Sequence, residues 1–302
     1  MQETKRINPL HAITNEPPEL DFTLPGLLRG TVGAIAATGS TGKSFLALQL
    51  CVMIATKFKV DFLNLPMPNS ATYNKNILWP VYITAEDPAE ILHHRLHSIG
   101  RHVPPEHRRL LDVMEIHSAM GLSPYVITQG TQGKSGPERN IKLISALKTL
   151  FFERDVCFID TLNLFHGLSE NSNDEMKLVV DIFKEMAQQC KTSIVFLHHT
   201  NKLSTLSGKA DEQQASRGAS ALVDNIRWQW NLRSMTTEES EKRFDENHKR
   251  WVLLSGSKIN YDSRPDGEGD IWLYRDPENR GVLIRKEPKP KAKGGKRDEA
   301  DF

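Results

Sequence analysis

Apolar runs and helical spacings alternate along the first two-thirds of the chain. Short apolar runs predict strands at residues 31–37, 77–84, 111–116, 156–159 and 193–197. Apolar residues at helical spacing predict helices over residues 43–55, 90–100, 141–154 and 175–190. This alternation is typical of a mostly parallel sheet with helices on both faces, so we predict an α/β fold.

The last third of the chain has a different pattern. Strand-like runs lie near residues 227–232, 251–257, 271–274 and 282–284, so this part is rich in strands. We therefore expect antiparallel strands appended to the parallel sheet. Together these patterns predict an N-terminal arm over residues 1–25 and one domain over 26–285. A basic tail over 286–302 has no apolar anchors and is expected to be disordered.

Composition narrows the class of protein but says little about partners. The net charge of +1 comes from 39 basic and 38 acidic side chains, so it neither favours nor excludes nucleic acid. The three cysteines form no CxxC pair, which argues against a disulfide framework or a zinc site and fits a reducing cytoplasm. No run approaches the roughly 18 apolar residues of a membrane span, so we expect no membrane partner.

The strongest chemical signal is a glycine-rich turn between the first predicted strand and helix. It reads Ala37-Thr38-Gly39-Ser40-Thr41-Gly42-Lys43-Ser44. Such a turn points backbone N–H groups at a triphosphate, so we expect residues 38–45, from Thr38 to Phe45, to bind ATP. Lys43 would reach the β- and γ-phosphates, and Ser44 would hold Mg²⁺. Ala37 departs from the usual pattern, because glycine is expected there.

Two acidic residues follow predicted strands. Asp160 ends the strand at 156–159, where folds of this kind hold magnesium. Glu86 follows the strand at 77–84, and hydrolysis needs a carboxylate that orients and partly deprotonates a water. The plain alternative for both is a structural one, because acids also cap helices and favour their first turn.

Histidines and arginines supply further candidates. His198 and His199 end the strand at 193–197, and alternation of faces allows only one of them to approach the nucleotide. Arg217 and Arg227 are candidates to neutralise the transferred phosphoryl group of a neighbouring subunit. For Arg227 the alternative is an ordinary salt bridge with Asp224.

Two polar loops, residues 121–137 and 201–216, are candidate contacts for DNA. The second carries Lys202 and Lys209, yet neither loop has a series of aromatic residues that could form a stacking platform for bases. Plain solvent-exposed loops are an equally good interpretation.

Several stretches together resemble the RepA-type hexameric replicative helicases of small IncQ-like plasmids. The most specific are Gln213-Gln214-Ala215-Ser216-Arg217-Gly218 and the stretch from Leu222 to Gln229. Less specific matches are Ala85-Glu86-Asp87-Pro88, His93-His94-Arg95-Leu96, Asp160-Thr161-Leu162 and Ser257-Lys258-Ile259-Asn260-Tyr261. They occur in order from about residue 7 to residue 261.

The resemblance implies a RecA-like core assembled as a homohexameric ring, with ATP between subunits and single-stranded DNA in the centre. It implies that Lys43 and Ser44 hold phosphate and Mg²⁺, with Asp160 as the second metal residue. Glu86 would be the catalytic base, His199 the γ-phosphate sensor and Arg227 the arginine finger. Arg217 would lie near the channel, and a plasmid initiator and a primase would be partners.

Two kinds of protein share these nucleotide-site residues. One is an ATP-driven DNA helicase, and the other is a RecA-like ATPase that binds DNA or a partner in a regulatory or loading role without unwinding. Only the helicase predicts ATPase stimulated by single strands and loss of unwinding when Lys202 or Lys209 is changed. A small-molecule kinase is weaker, because no arginine-rich lid is evident in the sequence.

Overall fold

A computed structural model describes residues 6–130, 136–200, 220–243, 248–261, 270–275, 277–278 and 281–288. The helices among them are α1 (Pro9–Thr14), α2 (Lys43–Ala55), α3 (Ala71–Asn74), α4 (Ala89–Gly100), α5 (Ile141–Phe151), α6 (Asn173–Cys190), α7 (Ser220–Asn225) and α8 (Thr237–Arg243). The strands are β1 (Phe22–Leu24), β2 (Leu27–Leu28), β3 (Val32–Ala37), β4 (Pro80–Thr84), β5 (Glu115–Ser118), β6 (Ile127–Thr128), β7 (Glu138–Arg139), β8 (Val156–Asp160), β9 (Ser193–His199), β10 (Trp228–Ser234), β11 (Trp251–Ile259), β12 (Ile271–Arg275) and β13 (Leu283–Arg285).

The described residues form one large mixed sheet of nine strands, in the order β13-β12-β11-β10-β3-β9-β8-β4-β5. The six strands from β10 to β5 in this order run parallel to one another. Strands β11, β12 and β13 are antiparallel additions at one side. The predicted α/β class, a mostly parallel sheet with C-terminal antiparallel strands, is therefore confirmed.

Helices cover both faces of the sheet. On one face, α2 is buried along nearly its whole length against Tyr82 and Phe158, which point from β4 and β8. On the other face, α5 and α6 pack Phe151 and Phe183 against the opposite side of the same strands. Because α2 is apolar almost all round, it is stable only when enclosed between the sheet and its neighbours.

One predicted strand is partly wrong. The apolar pattern predicts an extended segment over residues 111–116, but Pro105–Val113 forms a 3-10 helix and β5 begins only at Glu115. Pro105 supplies the fixed backbone angle that favours a first helical turn, and Leu111 packs on the core from this helix. An apolar pair such as Leu110-Leu111 does not by itself distinguish a short helix from a strand.

The predicted arm and the predicted loop at 121–137 contain regular structure. The arm contains the exposed helix α1 and then β1, whose Thr23 and Leu24 are buried. The loop at 121–137 contains β6, which pairs with β7, while residues 131–135 lie outside the described residues. Most of the expected tail, residues 289–302, also lies outside them.

None of the helices in the described part of the chain combines the length and the apolar character needed to cross a bilayer.

A glycine on β3 permits a close approach of two central strands, and its replacement tests this packing. A Cβ at Gly33 would lie 2.6 Å from the Trp228 ring on β10 and 3.1 Å from its carbonyl oxygen. We expect Gly33→Ala to lower the free energy of unfolding by about 1–3 kcal/mol, because the buried ring must shift. Urea unfolding followed by circular dichroism measures this.

The matched control is Gly100→Ala, because a Cβ at this position on α4 meets nothing within 4 Å. It should leave stability unchanged or slightly raised. Equal stability of Gly33→Ala and Gly100→Ala would contradict the close packing of β3 on β10.

Candidate active site

The glycine-rich loop joins the end of β3 to the start of α2. Two residues take left-handed backbone angles, with φ of 62° at Ser40 and 108° at Gly42. Gly42 is the N-cap of α2 and provides no side-chain cap, so the first N–H groups of this helix remain available. Thr41 Oγ1 donates to the Thr38 carbonyl at 2.8 Å and closes the turn. The result is a cradle of backbone donors suited to an anion.

Lys43 lies under this cradle and is only 5% exposed. Its Nζ donates to the carbonyls of Ala37 at 3.2 Å and Thr38 at 3.4 Å, and lies 3.1 Å from His199 Nδ1. Burial lowers the pKa of Lys43, while Asp160 and Glu86 oppose that shift. Among the described residues no carboxylate forms an ion pair with Lys43, so its charge is available to a bound anion.

Asp160 at the end of β8 is completely buried. Its Oδ2 accepts hydrogen bonds from Ser44 Oγ at 2.6 Å and Tyr82 OH at 2.5 Å. Its Oδ1 is buried and has no partner among the described residues. An unsatisfied carboxylate oxygen beside a serine hydroxyl matches the hard oxygen ligands that Mg²⁺ prefers.

The capping alternative does not account for Asp160 or for the acids after β4. Thr161, not Asp160, is the N-cap of the short helix that follows β8. The N-cap of α4 is Pro88, and no side chain among the described residues caps that helix. Asp87 instead forms an ion pair with Arg95 at 2.5 Å.

Glu86 is held by two side chains. Thr161 Oγ1 donates to Glu86 Oε1 at 2.9 Å, and His199 Nε2 lies 3.2 Å from the same oxygen. The hydrogen bond with His199 is the main cause that lowers the pKa of Glu86, and burial opposes it. If Nδ1 of His199 accepts from the Lys43 ammonium, Nε2 carries the proton and donates to Glu86, so the three side chains form one chain of hydrogen bonds.

The two histidines of β9 have different surroundings, as strand alternation predicts. His199 is partly exposed and contacts Lys43 and Glu86. His198 is buried, and burial lowers its pKa to about 4, so it is a neutral core histidine.

A cavity of about 550 Å³ opens at this edge of the sheet. Its lining includes Gly39, Ser40, Gly42, Lys43, Ser44, Phe45, Glu86, Asp87, Arg95, His199, Arg275 and Gly281. Most of the predicted site residues are thus brought together, and Thr38 and Thr41 shape the loop from behind.

Sequence reasoning missed several residues of this cavity. Arg275 at the end of β12 donates to the Ser40 carbonyl at 2.8 Å, although the two residues are 235 positions apart in the chain. Arg95 lies over the Phe45 ring at 5.8 Å. Arg95 belongs to a stretch that carries the family resemblance, but no local pattern marks Arg275 or Tyr82.

Arg227 does not join this cavity in its own chain. It precedes β10, whose Trp228 pairs with Gly33 near the start of β3, so Arg227 lies at the opposite edge of the sheet from the phosphate loop. At about 3.3 Å per residue, the length of β3 alone separates the two edges by roughly 17 Å. Arg227 is exposed and lines a smaller cavity of about 200 Å³ with Asp224, and these two described residues form no ion pair. The DNA candidates Lys202, Lys209 and Arg217 lie outside the described residues.

Comparison with known proteins places this arrangement in context. The AAA_25 family, described as an AAA domain, matches residues 2–205. A solved structure of an ATPase domain is similar at a TM-score of 0.53 and 13% identity, over 86% of each chain. A second, from a study of a DnaB-like replicative helicase and its interactions with primase, is similar at a TM-score of 0.55 and 14% identity. That match covers 86% of this chain but 58% of the other, so this chain spans a little over half of that helicase. At such identities the likeness establishes the fold, which is the RecA-like fold of DnaB-type ATPase domains.

The hydrogen bond between His199 and Glu86 has a measurable consequence. In His199→Phe an aromatic ring remains and the hydrogen bond is lost, so the Glu86 carboxyl should titrate at higher pH than in the wild-type protein. The titration is measured by NMR on ¹³C-labelled glutamate side chains.

The control is His97→Phe on the exposed face of α4, outside the lining of the cavity. It should leave the Glu86 titration unchanged. A Glu86 pKa that is the same or lower in His199→Phe would mean that His199 does not hold this carboxylate.

Proposed function

The chain belongs to the AAA domain family, and on that premise we propose that it is an ATP-dependent, ring-forming DNA helicase. It would translocate on single-stranded DNA during the replication of a plasmid or another mobile element. One observation carries the proposal: Lys43 and Glu86 line one cavity with Ser44, which donates to the buried Asp160 behind it, while Arg227 is exposed at the opposite edge of the sheet. A site that lacks its arginine finger within the chain is suited to completion by a neighbouring subunit.

Triphosphate binding follows from the charges in the cavity. The backbone donors after Gly39 and the Lys43 ammonium hold the β- and γ-phosphates. Ser44 and the unpaired Oδ1 of Asp160 would hold Mg²⁺. When bound, this ion neutralises negative charge on the phosphate oxygens.

Hydrolysis requires a base on the far side of the γ-phosphate. Glu86 accepts a proton from the attacking water, and Thr161 fixes its orientation through the 2.9 Å hydrogen bond. Because its pKa is lowered, Glu86 is ionised at neutral pH but is a weaker base than an ordinary carboxylate. Its main contribution is then the orientation of the water.

His199 links the nucleotide to the segment that follows β9. A γ-phosphate that binds Lys43 competes with His199 Nδ1 for the ammonium, so the ring is free to contact the phosphate instead. Loss of that phosphate restores the contact between His199 and Lys43. The segment after β9 carries Lys202 and Lys209 and leads to Arg217, which makes it the proposed contact with single-stranded DNA.

Arg227 completes the site in trans. Its guanidinium has no acidic partner among the described residues and stands on the surface beside Asp224. In a ring built from head-to-tail interfaces, one edge of each subunit faces the phosphate loop of the next. An arginine there stabilises the charge that develops on the transferred phosphoryl group.

The identity of the helicase rests on the RepA-type resemblance, supported by the DnaB-like fold. We propose a homohexamer whose motor occupies residues 26–285, in the cytoplasm, with a plasmid initiator and a primase as partners. The alternative is a RecA-like ATPase that regulates or loads another factor on DNA without unwinding it.

The central test is a forked-duplex unwinding assay with ATP, run beside native mass measurement. The wild-type protein should unwind the fork as a hexamer, and single-stranded DNA should stimulate its ATPase activity. Lys43→Ala should abolish both hydrolysis and unwinding, because the phosphates lose their buried cation. Its circular dichroism spectrum should be that of the wild type.

The matched control is Lys191→Ala, which removes an exposed lysine at the end of α6 and should leave both activities intact. A Lys43→Ala protein that hydrolyses ATP at the wild-type rate would refute the assignment of the site. ATP hydrolysis without unwinding would instead favour the regulatory alternative.

A shared site makes a separate prediction about mixtures. Arg227→Ala should lower kcat for ATP hydrolysis on the order of 10³-fold, as loss of an arginine finger does. Glu86→Ala should also be inactive. Mixed in equal amounts, the two should regain activity at up to about a quarter of the interfaces, because such interfaces pair an intact Glu86 with an intact Arg227.

The control is a mixture of the Arg227→Ala protein with the Arg227→Ala/Glu86→Ala double variant, which offers no intact pair and should stay inactive. Steady-state ATPase rates after subunit exchange report the outcome. No recovery in the first mixture, with exchange verified by native mass measurement, would exclude a site shared through Arg227.

A further inference from the structure

Tyr82 makes the other hydrogen bond to the buried aspartate, and no nucleotide-binding motif includes it. We propose that Tyr82 is a positioning residue that anchors Oδ2 of Asp160, so that Oδ1 stays available to the metal of a Mg²⁺–nucleotide complex. Tyr82 would thereby set the affinity of the site for Mg²⁺ without touching the nucleotide. This inference rests on the proposed function, because it concerns the metal of the same site.

Strand register explains why a residue on β4 reaches a carboxylate on β8. Tyr82 pairs with Phe158, and Thr84 pairs with Asp160, in the parallel ladder of β4 and β8. Residues two apart on a strand share a face, so Tyr82 and Asp160 lie on the same face of adjacent strands. The phenol extends along this face towards the carboxyl edge and meets Oδ2 at 2.5 Å.

Ser44 and Tyr82, the two donors to Oδ2, would respond differently when Mg²⁺ and nucleotide bind. Ser44 Oγ now donates to Oδ2 at 2.6 Å, but the same hydroxyl is the proposed ligand of Mg²⁺. When Ser44 turns to the metal, Tyr82 is the remaining donor to Oδ2 among the described residues. Without it, a fully buried carboxylate oxygen would lose its partner, and the carboxylate would be free to rotate.

The tyrosine is itself held firmly. Its side chain is fully buried in the core cluster that includes Phe158 on β8 and Leu50 on α2. The ring therefore cannot swing away, and its hydroxyl is fixed relative to β8. Such support from residues that do not bind the metal typically changes metal affinity by about 10- to 100-fold.

The test compares Tyr82→Phe with the wild-type chain of 302 residues, with mant-ATP as the fluorescent probe. Tyr82→Phe keeps the buried ring and removes only the hydroxyl. In EDTA the affinity for mant-ATP should stay within about twofold of the wild type, since the hydroxyl touches no phosphate site. In a Mg²⁺ titration the concentration for half-maximal effect should rise about 10- to 100-fold.

Tyr73→Phe is the matched control. Tyr73 is also a buried phenol, but its hydroxyl donates to the Thr23 carbonyl at 2.7 Å, away from Asp160. This variant should show the wild-type Mg²⁺ titration. An unchanged Mg²⁺ requirement in Tyr82→Phe, or an equal loss of affinity in EDTA and in Mg²⁺, would overturn the proposal.

A double-mutant cycle distinguishes loss of the contact with Asp160 from a general disturbance of the fold in Tyr82→Phe. In the Asp160→Asn background Tyr82→Phe should cause no further change in Mg²⁺ dependence, because the oxygen it positions no longer carries the charge. Additive effects of the two changes would refute the proposal. Failure of the wild-type protein to bind mant-ATP at all would instead refute the proposed function.

Discussion

The shared edge of four parallel strands is the constraint on which this site depends. Ala37 on β3 pairs with His199 on β9, and Asp160 on β8 pairs with Leu197 on β9 and Thr84 on β4. Because all four strands run in the same direction, their carboxyl ends open on one edge, where ligands of open α/β sheets bind. Segments that are far apart in sequence therefore bring the glycine-rich loop, Lys43, Asp160 and Glu86 to one edge of the sheet.

Burial at that edge is electrostatically unfavourable for two charged side chains. It lowers the pKa of Lys43 and raises that of Asp160, because both charges lie where water is largely excluded. These two described side chains form no ion pair with each other, and one oxygen of Asp160 has no partner among the described residues. An anion beside Lys43 and a cation beside Asp160 would relieve both costs, as the proposed metal–triphosphate complex would do.

The antiparallel strands beyond β10 also support the nucleotide loop. Gln49 on α2 both donates to and accepts from the backbone of Leu283 on β13, at 2.7 and 2.9 Å. Arg275 at the end of β12 donates to the carbonyl of Ser40 in the loop. A Cβ at Gly281 would lie 3.2 Å from the Phe45 ring, which shows how closely this segment approaches α2. The C-terminal third thus braces the phosphate loop as well as extending the sheet.

The sequence alone determined the helices and strands that have a local periodic pattern, and the glycine-rich motif that joins two of them. The bounds of α2, the loop with Lys43 and most of the alternation of strands and helices up to β9 could be predicted, because periodicity and glycine-rich turns act over a few residues. Glu86 and Asp160 could be proposed because they follow strands, but their roles stay predictions.

Only the tertiary structure showed that Tyr82 and Arg275 reach the site. Their contacts depend on strand register and long-range packing, and neither leaves a periodic signal in the chain. The same packing separated His198 from His199 and placed Arg227 at the edge of the sheet opposite the glycine-rich loop.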